Sequence, residues 1–208
     1  MKRLLLILAL LPFNAHAWTL TADRQIASAG AKLSPPDLYL VIKDFHREYA
    51  RGVEKALAEE GQHGVLRERI EKETHTTIAM LKANQPMSAV AEHLGLLAHL
   101  IADANNPYRD ADYAHYFEMR VAKFPTVFYG AEPQLRLGMF VDRILTRTAK
   151  LTPLVTEEYT RGTSATFDDH STAFGVASVC YSHAVTDTAN LFTYIWREAG
   201  GAVPNAKH

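Results

Sequence analysis

The stretch HLGLLAHLIADANNP, from His93 to Pro107, determines the fold class predicted here and points to a functional site. Its apolar residues recur at helical spacing and a proline cannot continue a helix, so it predicts a buried helix that ends before Pro107. Within it, His99 and Asp103 lie one turn apart and share a face. An imidazole and a carboxylate so placed can bind one metal ion, or they can hydrogen-bond to each other or to solvent.

Helical patterns also dominate the rest of the chain. They cover six further stretches, at residues 21–33, 36–61, 65–84, 112–124, 135–162 and 171–201. Thr21 or Asp23 is the expected N-cap of the first, Gly52 is a possible break in the second, and the proline- and glycine-containing segment 125–134 reads as a loop. No strand-like alternation and no repeat is evident. The sequence therefore predicts an all-α, single-domain bundle of about seven helices.

The first residues, MKRLLLILALLPFNAHA, have the features of a signal peptide. A basic start precedes an apolar run too short to span a bilayer, and Ala15-His16-Ala17 matches a signal peptidase site. We therefore expect residues 1–17 to be removed, which leaves residues 18–208 with Trp18 at the amino terminus. The mature protein is predicted to be periplasmic or secreted, without stable insertion in a membrane.

Charge and cysteine content narrow the possible partners. The formal charge of −1 becomes −3 when Lys2 and Arg3 leave with the signal peptide, which predicts no general attraction to nucleic acid or anionic membranes. A local basic site remains compatible with this balance. The single cysteine, Cys180, cannot form an intramolecular disulfide and is expected to be a buried, inert thiol.

The central helix resembles a known metal-binding motif. LGLLAHLIADANNP is similar to the LGLxxHxxxDxNxP helix of zinc-dependent bacterial phospholipase C, whose superfamily also contains the fungal single-strand-specific zinc nucleases. These enzymes are all-α, bind three zinc ions and begin with a tryptophan, as the chain would after cleavage before Trp18. The closing stretch VTDTANLFTYIWREAGG is also similar to the family's last helix.

This resemblance implies up to three zinc ions and assigns ligands to them. His99 would bind the first zinc, Asp103 would bridge the first and third, and Trp18 would bind the third through its backbone amine. The nucleases have a histidine five residues after the tryptophan, where this chain has Asp23. Aspartate is an acceptable zinc ligand, and the alternative for Asp23 is to cap a helix.

The resemblance also requires a histidine and an acid ahead of the central helix. His63, in the loop EEGQHG, is preferred over His75 as the ligand. The acid that assists water in the family has three candidates, Asp44, Glu54 and Glu60. Glu54 is our choice as the catalytic residue, with an exposed helical glutamate as the alternative.

The second zinc site departs most from the family pattern. Arg109 stands where the family has a histidine, and a guanidinium does not bind zinc. His115 and Glu118 follow at i,i+3 instead of i,i+4, and Asp110 or Asp112 is a substitute ligand. Arg109 is expected to bind a substrate phosphate or to pair with a neighbouring aspartate on the surface.

A second HxxxD, His183 and Asp187, falls in the closing helix, outside the family's ligand positions. It is a weaker candidate for a metal pair, and the remaining histidines are expected to be structural or on the surface.

The resemblance implies three possible functions. The first is a secreted zinc-dependent phosphodiester hydrolase that acts on a phospholipid head group, with metal-activated water attacking phosphorus. The second is a nuclease of the same fold, which requires exposed aromatic rings for base stacking. Its candidates are Tyr108, Tyr113, Tyr116 and Phe117. The third is a non-catalytic relative that retains an incomplete zinc cluster.

Overall fold

The structure is a computed structural model that describes residues 18–58, 66–108, 117, 126–160 and 170–201. Within these ranges every regular element is a helix and there is no strand, which confirms the all-α prediction. The described helices are α1 (Leu20–Lys32), α2 (Pro36–Asp44), α3 (His46–Ala58), α4 (Leu66–Lys82), α5 (Met87–Ala104), α6 (Leu137–Thr160) and α7 (Thr172–Glu198).

Two details of the first helices differ from the sequence prediction. The side chain of Thr19 caps α1 by accepting a hydrogen bond from the backbone N–H of Ala22, so neither Thr21 nor Asp23 is the cap. The long second stretch breaks at Phe45, which ends α2, whereas Gly52 lies inside α3. The expected helix at 112–124 lies outside the described residues, apart from Phe117.

Helix α5 is the centre of the molecule. All nine residues from 94 to 102 are buried, because neighbouring helices cover it from several sides. Its closest neighbour is α3, where two glycines allow the backbones to touch. A Cβ atom on Gly52 would lie 1.9 Å from the carbonyl oxygen of Glu92, and one on Gly95 would lie 2.0 Å from that of Tyr49. The two helices can therefore approach this closely only because both positions are glycine.

The buried side chains form two clusters, both of which include residues of α5. The larger cluster joins α5 to α1, α2, α3, α4, the start of α6 and the end of α7. The smaller one surrounds Trp18 and includes Phe117, Phe174 and Cys180. Cys180 is a buried free thiol, as expected, and burial raises its pKa to about 12.

The segment before α6 is the expected loop, and polar side chains on α7 hold it in place. Ser182 and Thr186 accept hydrogen bonds from the backbone N–H groups of Val127 and Tyr129, at 3.2 and 3.1 Å. Asn190 does the same for Glu132 at 2.9 Å. This ladder leaves the side chains of residues 127–129 between 43% and 48% exposed. In the described part of the chain, no helix is both long and apolar enough to cross a membrane.

Candidate metal centre

Three of the predicted ligands meet where α1 crosses α5. Asp23 Oδ2 lies 2.9 Å from His99 Nδ1, and Asp103 Oδ2 lies 3.1 Å from His99 Nε2. The side chains of Asp23 and His99 are fully buried, and that of Asp103 is 13% exposed. The contact at Nδ1 has hydrogen-bond geometry, whereas the contact at Nε2 is a close approach of two polar atoms. All three residues take part in further interactions besides these.

The fold brings Asp23 to this position because α1 starts early. Capping by Thr19 places Asp23 in the first turn of α1, where a carboxylate is favoured by the helix dipole. The same turn directs its side chain inward, to the ring of His99. The cap and the acid are therefore two different residues.

Trp18 lies beside this group and is fully buried. Its indole Nε1 donates a 2.9 Å hydrogen bond to the carbonyl oxygen of Ala102, the residue between Ile101 and Asp103. Its ring packs edge-on against Tyr108 and tilts against Phe117, with centroids 5.9 and 5.5 Å away. The residue that the resemblance implicates in zinc binding is thus fixed next to Asp103.

Only part of this group can share one ion. Asp23 and Asp103 face opposite nitrogens of the same ring, so the three side chains do not converge on a point. In residues 18–58, 66–108, 117, 126–160 and 170–201, no three His, Cys, Asp or Glu side chains form such a group. An imidazole nitrogen and a carboxylate oxygen 3.1 Å apart are compatible with two ligands that each lie about 2.0–2.2 Å from zinc.

The other predicted site residues are not part of this group as described. His63, Arg109, His115 and Glu118 lie outside the described residues, as do Asp110 and Asp112. Glu54 is described and lies on the surface of α3, where it forms an ion pair with Arg24. Its side chain is 46% exposed, and it does not contact Asp23, His99 or Asp103.

His183 and Asp187, the second HxxxD motif, contact different residues and do not form a pair that could bind one metal ion. Arg147 Nη2 donates to Asp187 Oδ2 at 2.5 Å and to Asn105 Oδ1 at 2.6 Å. Asn105 Nδ2 in turn donates to Asp187 Oδ2 at 3.1 Å. Burial raises the pKa of Asp187, while Arg147 and then Asn105 act against this shift. His183 instead stacks on Tyr129, with ring centroids 4.1 Å apart.

This buried ion pair was not expected from the sequence. Its members are 40 residues apart, and neither helical spacing nor composition connects Arg147 to Asp187. The one available signal was Asp187 itself, a carboxylate in an otherwise apolar helix, which requires a partner when buried.

Comparison of the chain with protein-family models, with curated proteins and with solved structures gives no match in any of the three.

Proposed function

We propose that this protein is a secreted, zinc-dependent phosphodiester hydrolase of the phospholipase C type. The observation that carries the proposal is the buried contact between His99 Nε2 and Asp103 Oδ2, 3.1 Å apart and beside Trp18. An imidazole and a carboxylate form a donor set that zinc accepts. Zinc bound there would act as a Lewis acid that polarises a phosphoryl oxygen and activates water for attack on phosphorus.

In this proposal the residues around the metal have separate roles. His99 and Asp103 are the ligands, and Asp23 is a positioning residue. A carboxylate on the second nitrogen of a metal-bound histidine fixes the ring and its tautomer, which is the relation of Asp23 to Nδ1. The indole hydrogen bond of Trp18 holds the start of the mature chain near Asp103. Two roles stay predictions: Asp23 as a ligand of a third zinc, and Glu54 as the catalytic residue that assists the attacking water.

A phospholipid is favoured over nucleic acid as the substrate by the state of the aromatic residues. Tyr108 is 5% exposed and Phe117 is fully buried, and both pack around Trp18. Neither ring offers a free face on which a base could stack. Tyr113 and Tyr116 lie outside the described residues.

A non-catalytic metal-binding relative is the second candidate. The position of Glu54 favours it, because Glu54 is exposed and forms an ion pair with Arg24, whereas His99 is buried. Metal content and turnover distinguish the two functions.

The test measures zinc and hydrolysis on the purified chain and on matched variants. His99→Gln removes a ligand, and His93→Gln changes a half-exposed histidine on the same helix, next to Glu73. We expect bound zinc in the unmodified protein and in His93→Gln, and the loss of at least one ion in His99→Gln. Asp23→Asn should weaken zinc binding by about 10–100-fold without abolishing it.

Hydrolysis is then assayed with a phosphocholine ester and with single-stranded DNA. Turnover of the ester that falls with zinc content supports the phospholipase proposal, and preferential turnover of DNA assigns the nuclease. Zinc binding without turnover of either substrate supports the non-catalytic relative. A protein that takes up no zinc on dialysis against it contradicts both candidates. Residues added before Trp18 should lower the zinc content if its amine is a ligand.

A further inference from the structure

A second polar site lies between α6 and α7, on residues that the proposed metal centre does not use. It is an open pocket of 590 Å³. Three cations on successive turns of α6 form one wall, namely Arg143, Arg147 and Lys150. Val179 and His183 of α7 form the other wall.

The charges in this pocket are predominantly positive. Asp142 is the carboxylate in the lining, and it is already bound by both Nε and Nη2 of Arg67, at 2.6 and 3.3 Å. Arg143 pairs with Glu132, which is outside the lining. Lys150 is exposed and forms no ion pair with any described residue. An anion that entered the pocket would therefore meet three cations, of which Arg143 and Arg147 have acidic partners outside the lining and Lys150 has none among the described residues.

The guanidinium of Arg147 has a fixed orientation and can donate further hydrogen bonds. Its described hydrogen bonds both leave through Nη2, to Asp187 and Asn105, and these partners fix the plane of the guanidinium. Nη1 makes no hydrogen bond with the described residues and is the group left to donate, whereas Nε is buried; 21% of the side chain is exposed. A fixed guanidinium with N–H groups to spare is well suited to the oxygens of a phosphate group.

His183 reports the positive potential of the same pocket. Burial is the largest cause that lowers its pKa to about 4, and the charges of Arg147 and Arg143 lower it further. The ring is therefore neutral near pH 7 and can donate one hydrogen bond. Tyr129 stacks on one of its faces, so the ring is held in a fixed orientation.

We propose that the pocket formed by Arg143, Thr146, Arg147, Lys150 and His183 is a binding site for a phosphate group. The site lies on α6 and α7 and does not require a metal, so it is independent of the proposed hydrolase activity. The phosphate could belong to a soluble monoester or to the head group of an anionic lipid. The exposed loop residues 127–129 adjoin His183 through Tyr129 and would contact the bilayer in the second case.

The first experiment titrates the full chain with inorganic phosphate in the presence of a chelator, at constant ionic strength. Calorimetry and the NMR signals of the His183 ring follow binding. We expect Lys150→Gln and Arg143→Gln each to weaken binding by about 3–10-fold, as for the loss of one partly screened charge-assisted hydrogen bond. Lys32→Gln, an exposed lysine of α1, is the matched control and should leave the affinity unchanged.

A pH titration gives a second, independent readout. Sulfate is the probe here because it keeps its charge over the range. Bound anion favours the imidazolium, so sulfate should raise the pKa of His183 in the unmodified chain and less so in Lys150→Gln. Among the described residues, the other charged groups that face or adjoin this ring are Asp142, Arg143, Arg147, Lys150 and, on its own helix, Asp187, with Tyr129 stacked on it.

Vesicles identify the source of the phosphate. Vesicles of phosphatidic acid in phosphatidylcholine are compared with phosphatidylcholine alone, using the chain and Phe128→Ser. Binding of free phosphate with no preference for the anionic vesicles assigns a soluble ligand, and vesicle binding that Phe128→Ser weakens assigns a lipid head group. The proposal is overturned if His183 does not respond to phosphate or sulfate, or if Lys150→Gln and Lys32→Gln bind phosphate equally.

Discussion

His99 is both a buried structural residue and a ligand in the proposed metal site. Both of its ring nitrogens face carboxylates, and its side chain is fully buried. Removing one member of such a group leaves charge buried without its partner, which costs more than the group contributes when intact. We therefore expect His99→Gln to lower the free energy of unfolding of the metal-free protein by about 3 kcal/mol.

Chemical denaturation with a chelator present measures this loss. His93→Gln is the control, because the side chain of His93 is 32% exposed and faces a single carboxylate, that of Glu73. Its effect should stay within about 0.5 kcal/mol. Equal losses in the two variants would show that the contacts of His99 with Asp23 and Asp103 do not contribute to stability.

His183 makes stability depend on pH. Its pKa is about 4 in the folded protein against 6.5 for an ordinary histidine, so the unfolded chain binds more protons between these values. The contribution of His183 to stability is then fully present above pH 6.5 and is lost as the pH falls toward 4. Because the ring is partly solvated, we discount the contribution to about 1–2 kcal/mol.

Urea unfolding at pH 7 and at pH 4.5 tests this dependence. His183→Gln should lose less stability than the unmodified chain over this interval, by about 1–2 kcal/mol. His75→Gln, which changes an exposed histidine of α4, should follow the unmodified chain. A pH dependence that His183→Gln leaves unchanged contradicts the prediction.

At the scale of single residues, the sequence predicted contacts within one helix and missed contacts between helices, for a physical reason. His99 and Asp103 were placed together because a helix fixes the geometry of residues four apart. Asp23 was left between two roles, because its distance to His99 depends on how α1 crosses α5. Arg147 and Asp187 were not paired, since nothing local to either residue encodes the packing of α6 on α7.

At the scale of elements, the crossing of α3 and α5 is the most demanding contact. A methyl group on Gly95 would lie 2.0 Å from a backbone carbonyl oxygen, and backbone cannot move aside as a flexible side chain can. We expect Gly95→Ala to destabilise the protein by about 2–3 kcal/mol or more, despite the better helix propensity of alanine.

Gly175→Ala is the matched control for this substitution. Gly175 also lies in a helix, and a Cβ atom there would meet nothing within 4 Å. The control should be neutral or stabilising by up to about 1 kcal/mol. Thermal or urea unfolding measures the stability of both variants. If Gly95→Ala is as stable as the unmodified protein, α3 and α5 can move apart at little cost in free energy.

The glycines also show why helix boundaries were harder to predict than helices. Gly52 suggested a break because glycine is a poor helix former. In the structure it is retained inside α3 for the close contact with Glu92, and the chain turns at Phe45 instead. Local propensity and tertiary packing compete at such positions, and only the first is visible in the sequence.

At the scale of the whole molecule, the two buried clusters are expected to unfold together. They share α5, so neither can lose its packing while the other remains intact. The chain has two tryptophans that report on them separately, since Trp18 belongs to the smaller cluster and Trp196 packs against the larger.

Trp196→Phe leaves Trp18 as the fluorescent probe of the smaller cluster. Its fluorescence and the far-ultraviolet circular dichroism of the same variant should give coincident urea transitions, as in two-state unfolding. The emission spectrum of Trp18 should also stay that of the native protein until this transition begins. Separate midpoints would divide the described chain into two units.

The position of α1 bears on how the chain reaches its folded state. Its most extensive contact is with α7, and Trp18 packs against Tyr181 of that helix, so the first and last described helices close the molecule on each other. During synthesis α1 can pack on α2, α3 and α5 as they emerge, but its most extensive partner, α7, follows more than 130 residues later, and contacts between such distant segments form slowly. The burial of Trp18, which packs against residues of α7, can therefore be completed only after that helix has been made.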